Sequence, residues 1–109
     1  MRLIEALSRQ LARARRKIRD LVFKDAAGRL ATLVLELAEE SGAGPATGEV
    51  QLPFSRAELA QRIGVSTETA IRLLSKLARR GVLRVEGRTI GIPNLDRLTR
   101  VARADELEG

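Results

Sequence analysis

No cysteine and no histidine occurs anywhere in the 109 residues. The first absence excludes disulfides, thiolate metal sites and thiol nucleophiles within the chain. The second removes the commonest general base and the commonest zinc ligand. Serine, lysine and carboxylates remain, but they form no recognisable catalytic grouping, so an enzyme is not expected and no cofactor is implied. Aromatic residues are nearly absent too, with two Phe and neither Trp nor Tyr. A core is still possible, and it has to be aliphatic. No apolar run approaches the roughly 18 residues that cross a bilayer, and Arg2 and Glu5 interrupt the first leucines where a signal peptide would need an unbroken stretch. The expectation is a soluble cytoplasmic protein: one small domain and one extra element.

Negative charge is scarce only at one end. Residues 1–24 hold eight Lys/Arg against two Asp/Glu, whereas residues 25–109 hold twelve of each, so the net +6 sits on the first segment. Within the neutral remainder, Arg72, Lys76, Arg79, Arg80, Arg84 and Arg88 face only Glu86 over one stretch, a local basic patch of the kind that meets polyanions.

The basic first segment carries a regular seam. Ile4, Leu7, Leu11, Ala14, Ile18 and Leu21 are spaced 3-4-3-4-3, the a and d positions of a heptad repeat. Ile at two of the three a positions and Leu at two of the three d positions favour a parallel two-stranded coiled coil. The competing readings are an amphipathic helix lying on its own domain and a basic surface helix that binds membrane or nucleic acid. A break is expected near Asp25, which can cap a second helix running to about Ser41 with an apolar stripe of Leu30, Leu33, Val34, Leu37 and Ala38. Gly28 inside it costs about 1 kcal/mol relative to alanine, which suggests a close helix crossing. Gly42 to Gly48 reads as a loop, and Glu49 to Pro53 as a short strand.

Residues 55–80 are the most informative. Ser55 and Glu58 form a Ser-x-x-Glu capping box that starts a short helix. Ala60 is small enough for a close helix approach, and Gly64 suits a turn with φ > 0. Ser66 caps a second helix with Ala70, Leu73, Leu74 and Leu77 on one face. Thr67, Glu68, Ile71, Arg72, Ser75, Lys76 and Arg79 are left on the other, the face that a helix-turn-helix turns to the major groove. Gly81 stops that helix. Val82–Glu86 and Arg88–Ile92 then read as a hairpin around Glu86-Gly87, the wing of a winged helix. Asn94 can cap a last helix from Leu95 to about Ala102, and the final residues read as a frayed tail.

The chain resembles the cyclic-AMP receptor protein and fumarate–nitrate regulator superfamily over nearly its whole length. Leu7 to Ala31 is similar to the end of the family's dimer helix and its Asp-x-x-Gly-Arg hinge, here Asp25, Gly28 and Arg29. Phe54 to Ile92 is similar to its DNA-binding motif and wing, with Glu68, Thr69 and Arg72 the most specific part. The resemblance implies a mainly α fold with a small β wing, divided into a dimerisation helix over 1–24, a winged helix-turn-helix over 25–105 and a tail over 106–109. It implies that Arg72 donates to a guanine edge and Glu68 accepts from a cytosine amino group, pairings whose geometry matches the bases and is worth about 1–3 kcal/mol of discrimination each. The implied half-site contains TGA. Arg56 would touch a phosphate or flanking base, Ser66 and Thr69 would bond phosphates, and Gly87 with Arg88 would approach the backbone. Thr67 stands where the cyclic-AMP receptor protein has a second reading arginine. Ile71 replaces a usually small residue and could touch a thymine methyl or crowd the groove.

Family members carry a sensor domain before the dimer helix, so the resemblance implies a DNA-binding half without an effector site. It also places the loop around Ala43 to Glu49 where some relatives touch RNA polymerase. The expected partners are double-stranded DNA and a second copy of the chain. The alternative is a winged-helix interaction module whose heptad helix docks another protein.

Overall fold

A computed structural model describes residues 2–40 and 48–103. Most of the Gly42–Gly48 loop, the segment expected near RNA polymerase except Gly48 and Glu49, and the 106–109 tail lie outside these residues.

The longest element is a single helix, α1, Arg2–Glu40. The break expected near Asp25 does not occur. Nothing from Leu21 to Lys24 interrupts a helix, and Ala26 and Ala27 favour one. Asp25 caps nothing; its carboxylate pairs with Arg29 one turn on, at 2.7 Å. At 39 residues α1 is about 58 Å long, close to the 62 Å long axis of the molecule. Its two halves behave differently. Residues 2–22 are exposed but for the half-buried Ala6, whereas Ala26, Ala27, Leu30, Ala31, Val34 and Ala38 are buried.

The second half of α1 forms one wall of the domain. The rest is β1 (Glu49–Gln51), α2 (Arg56–Ile63), α3 (Thr67–Arg79), β2 (Arg84–Glu86), β3 (Thr89–Gly91) and α4 (Leu95–Ala102). β1 joins the hairpin in an antiparallel sheet of order β1-β3-β2. Its register places Val50 and Val85 on either side of Ile90, which is fully buried. The strands are shorter than the apolar runs that suggested them. Gly48 belongs with the sheet rather than the loop, since its carbonyl accepts from Ile92 N–H at 2.6 Å.

The core is aliphatic, as the composition requires: Leu30, Leu59, Ile63, Leu73, Leu77, Leu83, Ile90 and Leu98 are essentially inaccessible, and Phe54 is its one buried aromatic among the described residues. Each fully buried side chain of this size contributes about 1.5–3 kcal/mol. The crossing expected at Gly28 is with α4, whose Val101 and Ala102 carbonyl oxygens lie 3.5 Å from where a Cβ would stand. Asn94 caps α4 by accepting from Arg97 N–H. No helix among the described residues is long and apolar enough to cross a membrane.

Candidate nucleic-acid interface

The motif helices are fixed at their ends by the residues the spacing singles out. Ser55 Oγ accepts from Glu58 N–H and the Glu58 carboxylate accepts from Ser55 N–H, both at 3.2 Å, completing the capping box of α2. The Ser55 backbone N–H holds the Glu58 carboxyl below the usual carboxylate range, helped by the Ser55 hydroxyl and the charges of Arg88 and Arg62. Gly64 closes α2 with φ of +75°, the left-handed conformation that glycine adopts without a steric penalty. Arg62 stacks over the Phe54 ring at 4.6 Å.

Ser66 caps α3, accepting from Thr69 N–H at 3.2 Å, and its hydroxyl donates to Thr69 Oγ1 at 2.9 Å. The pair therefore has one hydroxyl hydrogen left to offer. Ala70, Leu73, Leu74 and Leu77 are buried, while Thr67, Glu68, Ile71, Arg72, Ser75 and Arg79 are exposed and Lys76 is half-buried. Glu68 and Arg72 lie one turn apart, where an ion pair would be easy. They form none, and among the described residues neither has a hydrogen-bonding or ionic partner. A carboxylate and a guanidinium thus stand side by side with their bonding capacity intact.

The wing adds a second element. Its turn is Gly87-Arg88, with Gly87 at φ of +59° and Arg88 exposed. Arg56, the first residue of α2, donates from Nη2 to the Gly87 carbonyl. Leu52 N–H donates to the Arg88 carbonyl at 2.8 Å, and Gln51 Nε2 to Thr89 Oγ1 at 2.8 Å. The hairpin pattern did not reveal these ties, because they come from residues more than thirty positions earlier in the chain.

A contact between α1 and α3 is not written in the spacing of either helix. Lys76 Nζ stands over the ring of Phe23, 4.2 Å from its centroid. Ile18, Arg19, Val22 and Phe23 of α1 and Ile71, Arg72, Lys76 and Arg79 of α3 line an open groove of about 870 Å³. The one available signal was Phe23 itself, an aromatic off the heptad seam. The seam residues Ile4, Leu7, Leu11, Ile18 and Leu21 are 53–62% exposed, and Ala14 is exposed with them.

A capped pair of helices followed by a hairpin tied back to the first helix defines a winged helix-turn-helix domain. Residues 28–101 match the Crp-like helix-turn-helix domain model, and the chain belongs to that family. It is 36% identical over 102 residues to the CRP-like cAMP-activated global transcriptional regulator of Mycobacterium tuberculosis, covering 93% of this chain and 46% of that protein. Identity to the cAMP-activated global transcriptional regulator CRP of Haemophilus influenzae is 32% over 90 residues, 83% of this chain and 40% of the relative. Among solved structures, the catabolite activator protein of Thermus thermophilus superposes with a TM-score of 0.74 at 32% identity, over 94% of this chain and 46% of that one. The reduced CO-sensing protein of R. rubrum gives 0.74 at 35%, over 92% and 47%. The chain spans about half the length of the relatives it matches.

Proposed function

We propose that this chain is the DNA-binding part of a Crp-type transcription regulator that reads an inverted repeat as a homodimer. The observation that carries this reading is the pair of side chains on α3 that have no partner among the described residues. Arg72 presents a donor fork for O6 and N7 of guanine, and Glu68 an acceptor for the N4 amino group of cytosine. Together they suit a half-site with a TGA core. Thr67 is too short to reach like an arginine, so readout beyond that core is reduced. Ile71 offers an apolar surface to a thymine methyl.

The remaining contacts set register rather than sequence. The free hydroxyl hydrogen of the Ser66–Thr69 pair, the exposed Arg88 beside Gly87, and the unused donors of Arg56 are suited to phosphates. Dimerisation follows from the exposed stripe on α1. An apolar row of this length in water calls for a cover, and its a/d spacing fits a second copy of the same helix. Two recognition helices held this way would meet half-sites about one helical turn apart.

The test is binding to an inverted-repeat TGA/TCA duplex and to a scrambled duplex, by anisotropy of labelled DNA at two salt concentrations. Non-specific binding falls steeply with salt, whereas a ratio set by base readout persists. At least a tenfold preference retained at the higher salt is expected. Equal binding lost together with salt would overturn the reading and leave the heptad helix as a dock for another protein.

A further inference from the structure

We propose that Arg56 is a positioning residue for the wing: by holding the Gly87 carbonyl it fixes where Arg88 stands relative to the recognition helix. Its consequence for DNA rests on the function proposed above, whereas the clamp itself does not.

The strands of the wing are short, three residues each, and a hairpin of this size has little stability of its own. β2 is an edge strand. The inner side of the turn is held through β3, by the register with β1 and by the bond from Leu52 N–H to the Arg88 carbonyl. The tip itself is open: among the described residues, no atom beyond its two chain neighbours lies within 4 Å of where a Gly87 Cβ would be. What reaches it is the Arg56 guanidinium. Arg56 is well placed for this because its backbone is rigid. It opens α2 directly after the Ser55 cap, and α2 buries Leu59, Ala60 and Ile63 in the core it shares with α3. The positive charge of Arg88 is also felt at the Glu58 carboxylate of the same helix.

A guanidinium carries five N–H donors, so one bond to a carbonyl leaves others for a phosphate. Arg56, the Gly87 carbonyl and Arg88 then form one anion-binding unit rather than two separate cations. Losing Arg56 frees the Gly87 side of the tip while the Leu52 bond still holds the Arg88 carbonyl. The Arg88 side chain then loses its fixed place beside α2, and its phosphate contact with it, whereas losing Arg88 leaves Arg56 in place.

Two measurements on the full 109-residue chain test this. In the free protein, amide hydrogen exchange is followed at residues 86–90, with the α3 amides as a control for folding. Arg56→Ala is expected to speed exchange in the wing and leave α3 unchanged. With the TGA duplex, the salt dependence of binding is compared for Arg56→Ala, Arg88→Ala and the double variant. Each phosphate contact contributes roughly 0.9 to the slope of log K against log salt. The clamp predicts a loss of roughly 0.9 for Arg88→Ala, roughly 1.8 for Arg56→Ala, and no further loss in the double variant. Arg56→Lys should keep charge yet restore neither the exchange rate nor the slope fully, because an ammonium lacks the planar fork. Unchanged exchange, or slope losses that simply add, overturns the clamp. If no variant distinguishes TGA from scrambled DNA, it is the proposed function that fails, and exchange in the wing alone decides the clamp.

Discussion

The Lys76 ammonium stands 4.2 Å from the centroid of the Phe23 ring, and this contact joins the recognition helix to the long helix α1. Both side chains are half-buried, so the attraction is weakened by water less than in a fully exposed pair, and about 1–2 kcal/mol is expected. A double-mutant cycle with Phe23→Leu and Lys76→Met, read by urea unfolding at fixed protein concentration, should return a coupling energy of that size. Coupling near zero would mean that the two groups merely lie close.

Glu68 and Arg72 make different predictions although they share a face. Arg72→Ala should weaken binding to the TGA duplex by about 1–3 kcal/mol, roughly 5- to 150-fold, and barely affect scrambled DNA. Glu68→Ala should instead relax selectivity at the cytosine position. Competition with duplexes carrying single base-pair changes separates the two. A uniform loss across all duplexes for Arg72→Ala would mark it as a phosphate contact.

Gly28 permits a finer prediction than its presence in a helix suggests. A Cβ there would meet the Val101 and Ala102 carbonyl oxygens at 3.5 Å, ordinary van der Waals contact. Gly28→Ala should therefore be neutral or stabilising by up to about 1 kcal/mol, through reduced freedom of the unfolded chain. Gly28→Leu has to displace α4 and should cost about 1–3 kcal/mol. Thermal unfolding of the two variants checks this, and a strongly destabilised alanine variant would contradict it.

The features written locally in the sequence are those that spacing captures. Ser55, Glu58, Gly64, Ser66 and Gly81 mark the ends of α2 and α3 because capping is an interaction between residues three to five positions apart. Leu73, Leu74 and Leu77 mark the buried face of α3 because helical periodicity is local too. Asp25 was misleading for the same reason: an aspartate before an apolar stripe looks like a cap, but here the preceding residues keep the helix going and Arg29 takes the carboxylate. What spacing could not show are contacts across the fold. The pairing of Val50 with Ile90, the partner of Gly28 in α4, the reach of Arg56 to Gly87 and the stacking of Lys76 on Phe23 all depend on how the elements pack.

Glu58 gives the domain a predictable response to acid. Its carboxyl is held below the ordinary value of 4.5, chiefly by the Ser55 backbone N–H, then by the Ser55 hydroxyl and the Arg88 and Arg62 charges. In the unfolded chain those partners are gone and the ordinary value returns. A group with a lowered folded-state pKa contributes stability that is present above the unfolded value and disappears as pH falls through the folded one. Glu58→Gln keeps an acceptor for Ser55 N–H and removes the charge. The wild-type chain should therefore melt above the Glu58→Gln variant at neutral pH. That difference should shrink as pH drops below 4.5 and close once the folded-state carboxyl is protonated. Other carboxylates titrate alike in both proteins and cancel in the comparison. Melting temperatures from neutral pH to about pH 3 test the sign as well as the window. A gap that stays constant across that range would show that the charge on Glu58 does not contribute to holding the start of α2.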